Sequence, residues 1–292
     1  MKKQSHVRFD WAIKKVLRSK ANFVILEGFL SELLGKDIEI LDLIESESNR
    51  ETQTDKANRV DINVKDSTGE LYIVEIQNHK ELDYFHRILY NTSKAITENM
   101  SIGMNYGEIK KIITVSIIYF DLGQGKDYIY HGMTHFTGIH THDELQLSNA
   151  QKKLFNRSAV DSIFPDHYII KVNDFDGNAK NTLDEWVYFL KNSEIKDEFK
   201  AKGLAEAREK LKEINMTPEE RADYNRYIED LMLDASLAQT IKWDLQYAKE
   251  EGREEGEKNK AMEIARSMKE MGIAADVIHA ATKLDPEIIN NL

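Results

Sequence analysis

Across residues 59–78 apolar and polar positions alternate as in two strands joined by a tight turn. Val60, Ile62 and Val64 interleave with Asp61, Asn63 and Lys65. After the turn, Tyr72, Val74 and Ile76 interleave with Ile73, Glu75 and Gln77. Ser67-Thr68-Gly69 suits a three-residue loop whose glycine takes the left-handed position. Such a loop sets Asp66 against Glu70 and, counting back, Asp61 against Glu75, with Gln77 on the face of Glu75.

The pattern changes to helical spacing on either side. Residues 9–34 carry Phe9, Ile13, Val16, Leu17, Phe23, Ile25, Leu26, Phe29, Leu30, Leu33 and Leu34 in one such pattern, with a break near 19–22 and a stop at Gly35. Residues 38–44 read as a short strand. The polar stretch 45–58, whose Glu47 and Asp55 read as surface charges, leads into the hairpin. A helix is expected over 82–100 with Phe85, Ile88, Leu89 and Ile96 facing inward, and Arg87 and Tyr90 sharing a surface at i, i+3. The nearly unbroken apolar run at 109–120 predicts a central strand covered on both faces. Further strands are expected at 128–136 and 168–172, and the chain turns helical from 182.

Together these elements predict an α+β fold. A mixed sheet flanked by helices should occupy residues 1–200, and a helical region 201–292 should serve as an interaction or dimerisation module. Thr217-Pro218 is a helix start, and residues 261–292 read as three short helices without a basic recognition helix. Gly252 and Gly256 fall in a charged run, either as a place for close backbone approach or as a solvated link.

Composition narrows the function. The 292 residues are 41% apolar and 31% charged, and no run approaches the 18 or so apolar residues of a membrane helix. The basic start is not followed by an apolar core, so a signal peptide is not expected. The absence of cysteine rules out thiolate metal sites and fits a cytoplasmic protein. A net charge of −11 argues against nonspecific coating of nucleic acid. The first twenty residues run the other way: Lys2, Lys3, Arg8, Lys14, Lys15, Arg18 and Lys20 face the single acid Asp10. That patch either meets phosphates or is a solvated helix face.

The chemistry with the clearest pattern is Asp61, Glu75 and Gln77. Two carboxylates across an antiparallel pair repel, and a cation between them removes the penalty. Oxygen ligands of this kind suit Mg²⁺. The alternative is a solvated sheet face that binds nothing. His131, His135, His140 and His142 lack the partners and spacing of a zinc site and read as polar surface positions. Asp10 suits the positive end of a helix dipole.

The hairpin resembles the PD-(D/E)xK nuclease core. The wider chain resembles the bacterial recombination-promoting nuclease and transposase family, also called YhgA-like. The resemblance rests on Phe9-Asp10-Trp-Ala-Ile-Lys14, Arg59-Val-Asp61, Val74-Glu75-Ile-Gln77, Phe85-His-Arg87-Ile-Leu-Tyr90 and the Gly-Arg-Glu-Glu-Gly segment from Gly252 to Gly256. It implies a restriction-endonuclease-like sheet and Mg²⁺-dependent hydrolysis of DNA. Asp61, Glu75 and the backbone of Ile76 would hold the metal, with Asp10 closing the site. Gln77 stands where the parent pattern has Lys and would orient water. Lys14, Arg87 and Tyr90 are the expected substrate contacts, with Lys14 or Lys80 partly replacing the missing cation. Alternatives are a non-catalytic scaffold of the same fold and a transposase that also joins strands. A homo-oligomer through the C-terminal helices is a further expectation.

Overall fold

The computed structural model describes residues 6–15, 20–44, 59–212 and 216–292, except for the side chains of 13–15, 21 and 59–61. Val16, Leu17, Glu47 and Asp55 lie outside the described residues. The chain divides into two compact units, Met1–Tyr227 and Ile228–Leu292. The first therefore extends past residue 200, because Leu204, Ala207, Leu211, Tyr224 and Tyr227 are all buried.

The first unit is built on a six-stranded sheet: β1 (Ile40–Ile44), β2 (Arg59–Asp66), β3 (Leu71–Gln77), β4 (Ile112–Ile118), β5 (Ile129–Gly132) and β6 (Asp166–Lys171), in the spatial order β1-β2-β3-β4-β6-β5. The sheet is mixed. β1, β2 and β3 are antiparallel neighbours, β3–β4 and β4–β6 are parallel, and β5 closes the edge antiparallel to β6. The predicted central strand at 109–120 forms β4 and is buried along its whole length, and so is β3, which the sequence read only as the second leg of the hairpin. Residues 128–136 contribute only the short β5, at the sheet edge.

The hairpin loop forms as its composition requires. The Asp66 amide donates to Glu70 O at 3.1 Å, the Gly69 amide to Asp66 O at 3.0 Å, and Gly69 has φ +86°, a region open to glycine.

Helices cover both faces. On one side α1 (Phe9–Lys15), α2 (Phe23–Leu34), α5 (Thr182–Asn192) and α6 (Leu204–Lys210) bring Phe9, Phe29, Trp186 and Phe189 into edge-to-face contact, with ring centroids 5.5–6.0 Å apart. Gly28 and Gly203 let α2 and the start of α6 touch: a Cβ on Gly28 would lie 2.3 Å from Lys202 O. On the other side lies α3 (Tyr84–Glu98), the crossover between parallel β3 and β4. Tyr84 and Ile88 pack on Ile118, and Ala95 packs on Leu71, Ile73 and Ile112. Phe85 and Leu89, expected inside, are exposed. The helix is turned so that Tyr84, Ile88, Thr92 and Ala95 form its buried face.

Beyond α4 (Asn149–Phe155), the long α7 (Pro218–Glu270) runs uninterrupted through Gly252 and Gly256. In the second unit, Ala265 of α7 packs with Ile278 of α8 (Ala275–Thr282), Leu284, and Ile289 of α9 (Pro286–Asn291). Lys269 Nζ caps α9 by donating to the carbonyls of Ile289 and Asn290 at 3.0 and 2.8 Å. Among the described residues no helix is long and apolar enough to cross a membrane.

Candidate metal centre on the hairpin

The β2–β3 register pairs Asp61 with Glu75 and Arg59 with Gln77. Asp61 is thus the register partner of Glu75, and because side chains two apart along a strand share a face, Glu75 and Gln77 lie on one side of the sheet. It is the side covered by α3, since Leu71 and Ile73 of the same row pack against Ala95. The row starts apolar and turns polar at Glu75 and Gln77. Ser116 of β4, register partner of Glu75, extends the polar patch by one strand and is also buried. The side chain of Asp61 lies outside the described residues.

Glu75 is only 3% exposed, so its charge needs partners. α3 supplies them one helical turn apart. Arg87 Nη2 makes a close ion pair with Glu75 Oε1, and Asn91 Nδ2 donates to Oε2 at 3.4 Å. The guanidinium bridges onward, with Nη1 donating to Glu81 Oε1 at 2.5 Å. Glu81 in turn fixes Gln77, whose Nε2 donates to Glu81 Oε1 at 2.8 Å and to His79 O at 3.3 Å. Both of these partners are acceptors, which determines the amide's orientation. Gln77 Oε1 is left buried without a hydrogen-bond partner among the described residues.

Asp10, in the first turn of α1, is fully buried and surrounded by donors. Arg8 Nε reaches both carboxylate oxygens at 3.2 Å and Nη2 reaches Oδ2 at 2.8 Å. The Trp11 amide donates at 2.9 Å, Tyr227 Oη at 2.5 Å and Asn78 Nδ2 at 3.4 Å. Burial alone would lower the Arg8 pKa, but the Asp10 charge and its hydrogen bonds outweigh it and raise it. The Tyr227 hydroxyl is pushed up by burial and then by Asp10, so it remains a donor. Through Asn78, the residue after Gln77, this cluster adjoins the end of β3.

Of the other expected site residues, Ile76, whose backbone is the expected donor, stays between Glu75 and Gln77 on β3. Ile76 lies inside the sheet between Val60 and Ile117, its side chain buried. Tyr90 is 66% exposed and is not brought beside Arg87's partners, because the turn that directs Arg87 and Asn91 at Glu75 points it elsewhere. The Lys14 side chain lies outside the described residues, and Lys80 is exposed. Of the histidines, His131 stacks on Tyr168 at 4.1 Å and His135 pairs with Glu144 at 2.8 Å. Among the described residues no group of three or more His, Asp or Glu is arranged to hold a metal.

Sequence reasoning placed Arg8 in a basic patch and missed its pairing with Asp10, and it missed Asn91, Glu81 and Tyr227 altogether. Arg8 is two residues from Asp10, and Asn91 is four from Arg87, so local spacing could have found both. Tyr227 lies 217 residues from Asp10 and leaves no local trace.

The donors gathered at the open end of the hairpin are all oxygens: the Glu75 carboxylate, the Gln77 amide oxygen, and Asp61 by its register. That set fits a hard divalent cation and not a thiophilic one. No curated protein and no solved structure matches the chain. The family model described as PD-(D/E)XK nuclease family transposase matches residues 7–237, most of the chain, which therefore belongs to that family.

Proposed function

We propose that the chain is a metal-dependent DNA endonuclease of the recombination and transposition type, acting in the cytoplasm, with Asp61 and Glu75 as ligands of Mg²⁺. The reading rests on one observation, the register that sets Asp61 opposite Glu75. Two acids in that relation repel, and a divalent cation relieves the repulsion. The backbone carbonyl of Ile76 completes the protein's donors, and Asp10 steadies the strand end through Asn78. Bound there, Mg²⁺ supplies a Lewis acid that lowers the pKa of a water and offsets charge on the scissile phosphate.

Gln77 orients the attacking water. Its Nε2 is committed to Glu81 and His79, so Oε1 faces the water as an acceptor and fixes the direction of its lone pair. An amide carries no charge, so the positive groups toward the phosphate are Lys14 on α1 and Arg87 on α3, with Tyr90 on the exposed side of the same helix. DNA as the substrate is supported by membership of the transposase family.

A second reading, a nuclease fold kept as a non-catalytic scaffold, is favoured by one observation: Arg87 already meets the Glu75 carboxylate. Plasmid incubation separates the two. Purified protein should nick supercoiled DNA with Mg²⁺ and not with chelator, and Asp61→Ala and Glu75→Ala should each be inactive. Intact plasmid, with a melting temperature that Mg²⁺ leaves unchanged, selects the scaffold.

A further inference from the structure

The Arg87 guanidinium is divided between two carboxylates. One is Glu75 in the proposed metal site, and the other is Glu81 in the loop before α3. The contact with Glu75 is buried, with side chains 13% and 4% exposed, whereas Glu81 is 30% exposed. A buried carboxylate facing a guanidinium is electrically satisfied without any metal. A divalent cation at Glu75 must therefore displace Arg87 or share the carboxylate with it. Nη1 has its own bond to Glu81, separate from the contact of Nη2 with Glu75, and the guanidinium lies 5.8 Å from the Tyr84 ring centroid. Its Nε is buried and carries no hydrogen bond among the described residues, a donor that the metal-free arrangement leaves unsatisfied. The Glu81 carboxylate that anchors Arg87 also fixes the Gln77 amide, so one acid sets both neighbours of the metal position.

On the metal-dependent nuclease reading, we infer that Arg87 is an internal counter-ion that occupies Glu75 in the metal-free protein. It competes with the divalent cation for that carboxylate and, once released, turns its donors to the substrate phosphate while Glu81 retains it. Arg87 thereby links metal entry to phosphate binding, and the site gains its full cationic character only when metal and DNA are both present. The linkage makes a distinctive demand: removing the arginine charge should strengthen metal binding while weakening cleavage. A residue that merely supports the fold would lower both, and a simple phosphate contact would leave metal affinity unchanged.

The test uses the full chain and Mn²⁺ titrated by calorimetry, beside nicking rates at saturating metal. Arg87→Met, which keeps the bulk and removes the charge, should bind Mn²⁺ about tenfold more tightly, a change of about 1.4 kcal/mol. Its nicking rate should fall at least about tenfold. Glu81→Gln, at a partly exposed position, leaves Arg87 with Glu75 as its acid among the described residues and should weaken Mn²⁺ binding. It also serves as the readout if Arg87→Met fails to fold. A wild type that binds and cuts, with Mn²⁺ affinity unmoved in the variants or shifted in the opposite directions, overturns the inference alone. A wild type that neither binds Mn²⁺ nor cuts removes the nuclease reading and this inference with it.

Discussion

The β2–β3 hairpin carries a pair of acids in register at each end, and Glu75 at the open end is held differently from Asp66 and Glu70 at the turn. At the turn, Asp66 accepts from the Thr68 amide at 2.9 Å, Thr68 Oγ1 at 2.7 Å, the Glu70 amide at 2.9 Å and Tyr72 Oη at 2.8 Å. Glu70 is paired with Lys36 at 2.8 Å and Arg157 at 2.9 Å. Each acid there has several donors within ordinary hydrogen-bond range. At the open end, Glu75 has an arginine shared with Glu81 and a long contact from Asn91, and Gln77 Oε1 is a buried acceptor with no partner among the described residues. The turn acids are held by donors within the hairpin loop and by two separate cations, whereas Glu75 meets a guanidinium that is shared with a second acid.

The largest effect should come from breaking the open end. Glu75→Gln keeps the shape of the side chain and removes its charge, while Arg87 retains Glu81, so the fold should persist. Nicking at saturating Mg²⁺ should drop by at least about 10³-fold, the scale of losing a preorganised electrostatic group. A variant that still nicks at a tenth of the wild-type rate would place the metal elsewhere.

Breaking the turn should do the reverse. Asp66→Ala removes the acceptor of the Thr68 and Glu70 amides and leaves the Tyr72 hydroxyl with its 3.3 Å bond to Glu70, at a cost of about 1–3 kcal/mol. Thermal or urea unfolding should report that loss, while the nicking rate per folded molecule at low temperature stays near wild type. A matching loss of rate would mean that the two ends are not separable.

This contrast also marks what the sequence reveals. Period-two alternation and a single loop of three residues determine the register, so the facing of Asp61 with Glu75 and of Asp66 with Glu70 follows from local pattern. The rotation of α3 does not. Tyr84–Ile88 and Phe85–Leu89 are both apolar pairs at i, i+4, and only packing against Ile118 selects the first. That choice turns Arg87 and Asn91 toward Glu75 and leaves Tyr90 exposed, where sequence spacing had joined Arg87 with Tyr90. Asp10 at a helix start was legible as a cap. Its buried pairing with Arg8 and Tyr227 was not, because a tyrosine 217 residues away enters by tertiary contact alone.

The smallest effect concerns Glu70 and has a definite sign in pH. Burial by itself would raise this carboxyl, but hydrogen bonds and charge from Lys36 and Arg157 prevail and hold it below its ordinary value of 4.5. A depressed carboxyl contributes stability that is complete above the unfolded-state value and is lost as pH falls through the lower folded-state value. Lys36 is half exposed and Arg157 partly so, which screens the pairs, so the contribution should be about 0.5–1 kcal/mol at neutral pH. Glu70→Gln should therefore unfold slightly more easily than wild type at pH 7, and the gap should close as pH is taken below about 4. Urea midpoints of the two proteins at pH 7, 5 and 3.5 measure it. A gap that widens toward acid would mean that Glu70 is held by its buried surroundings and not by its two cations, and the turn would lose the feature that sets it apart from the open end.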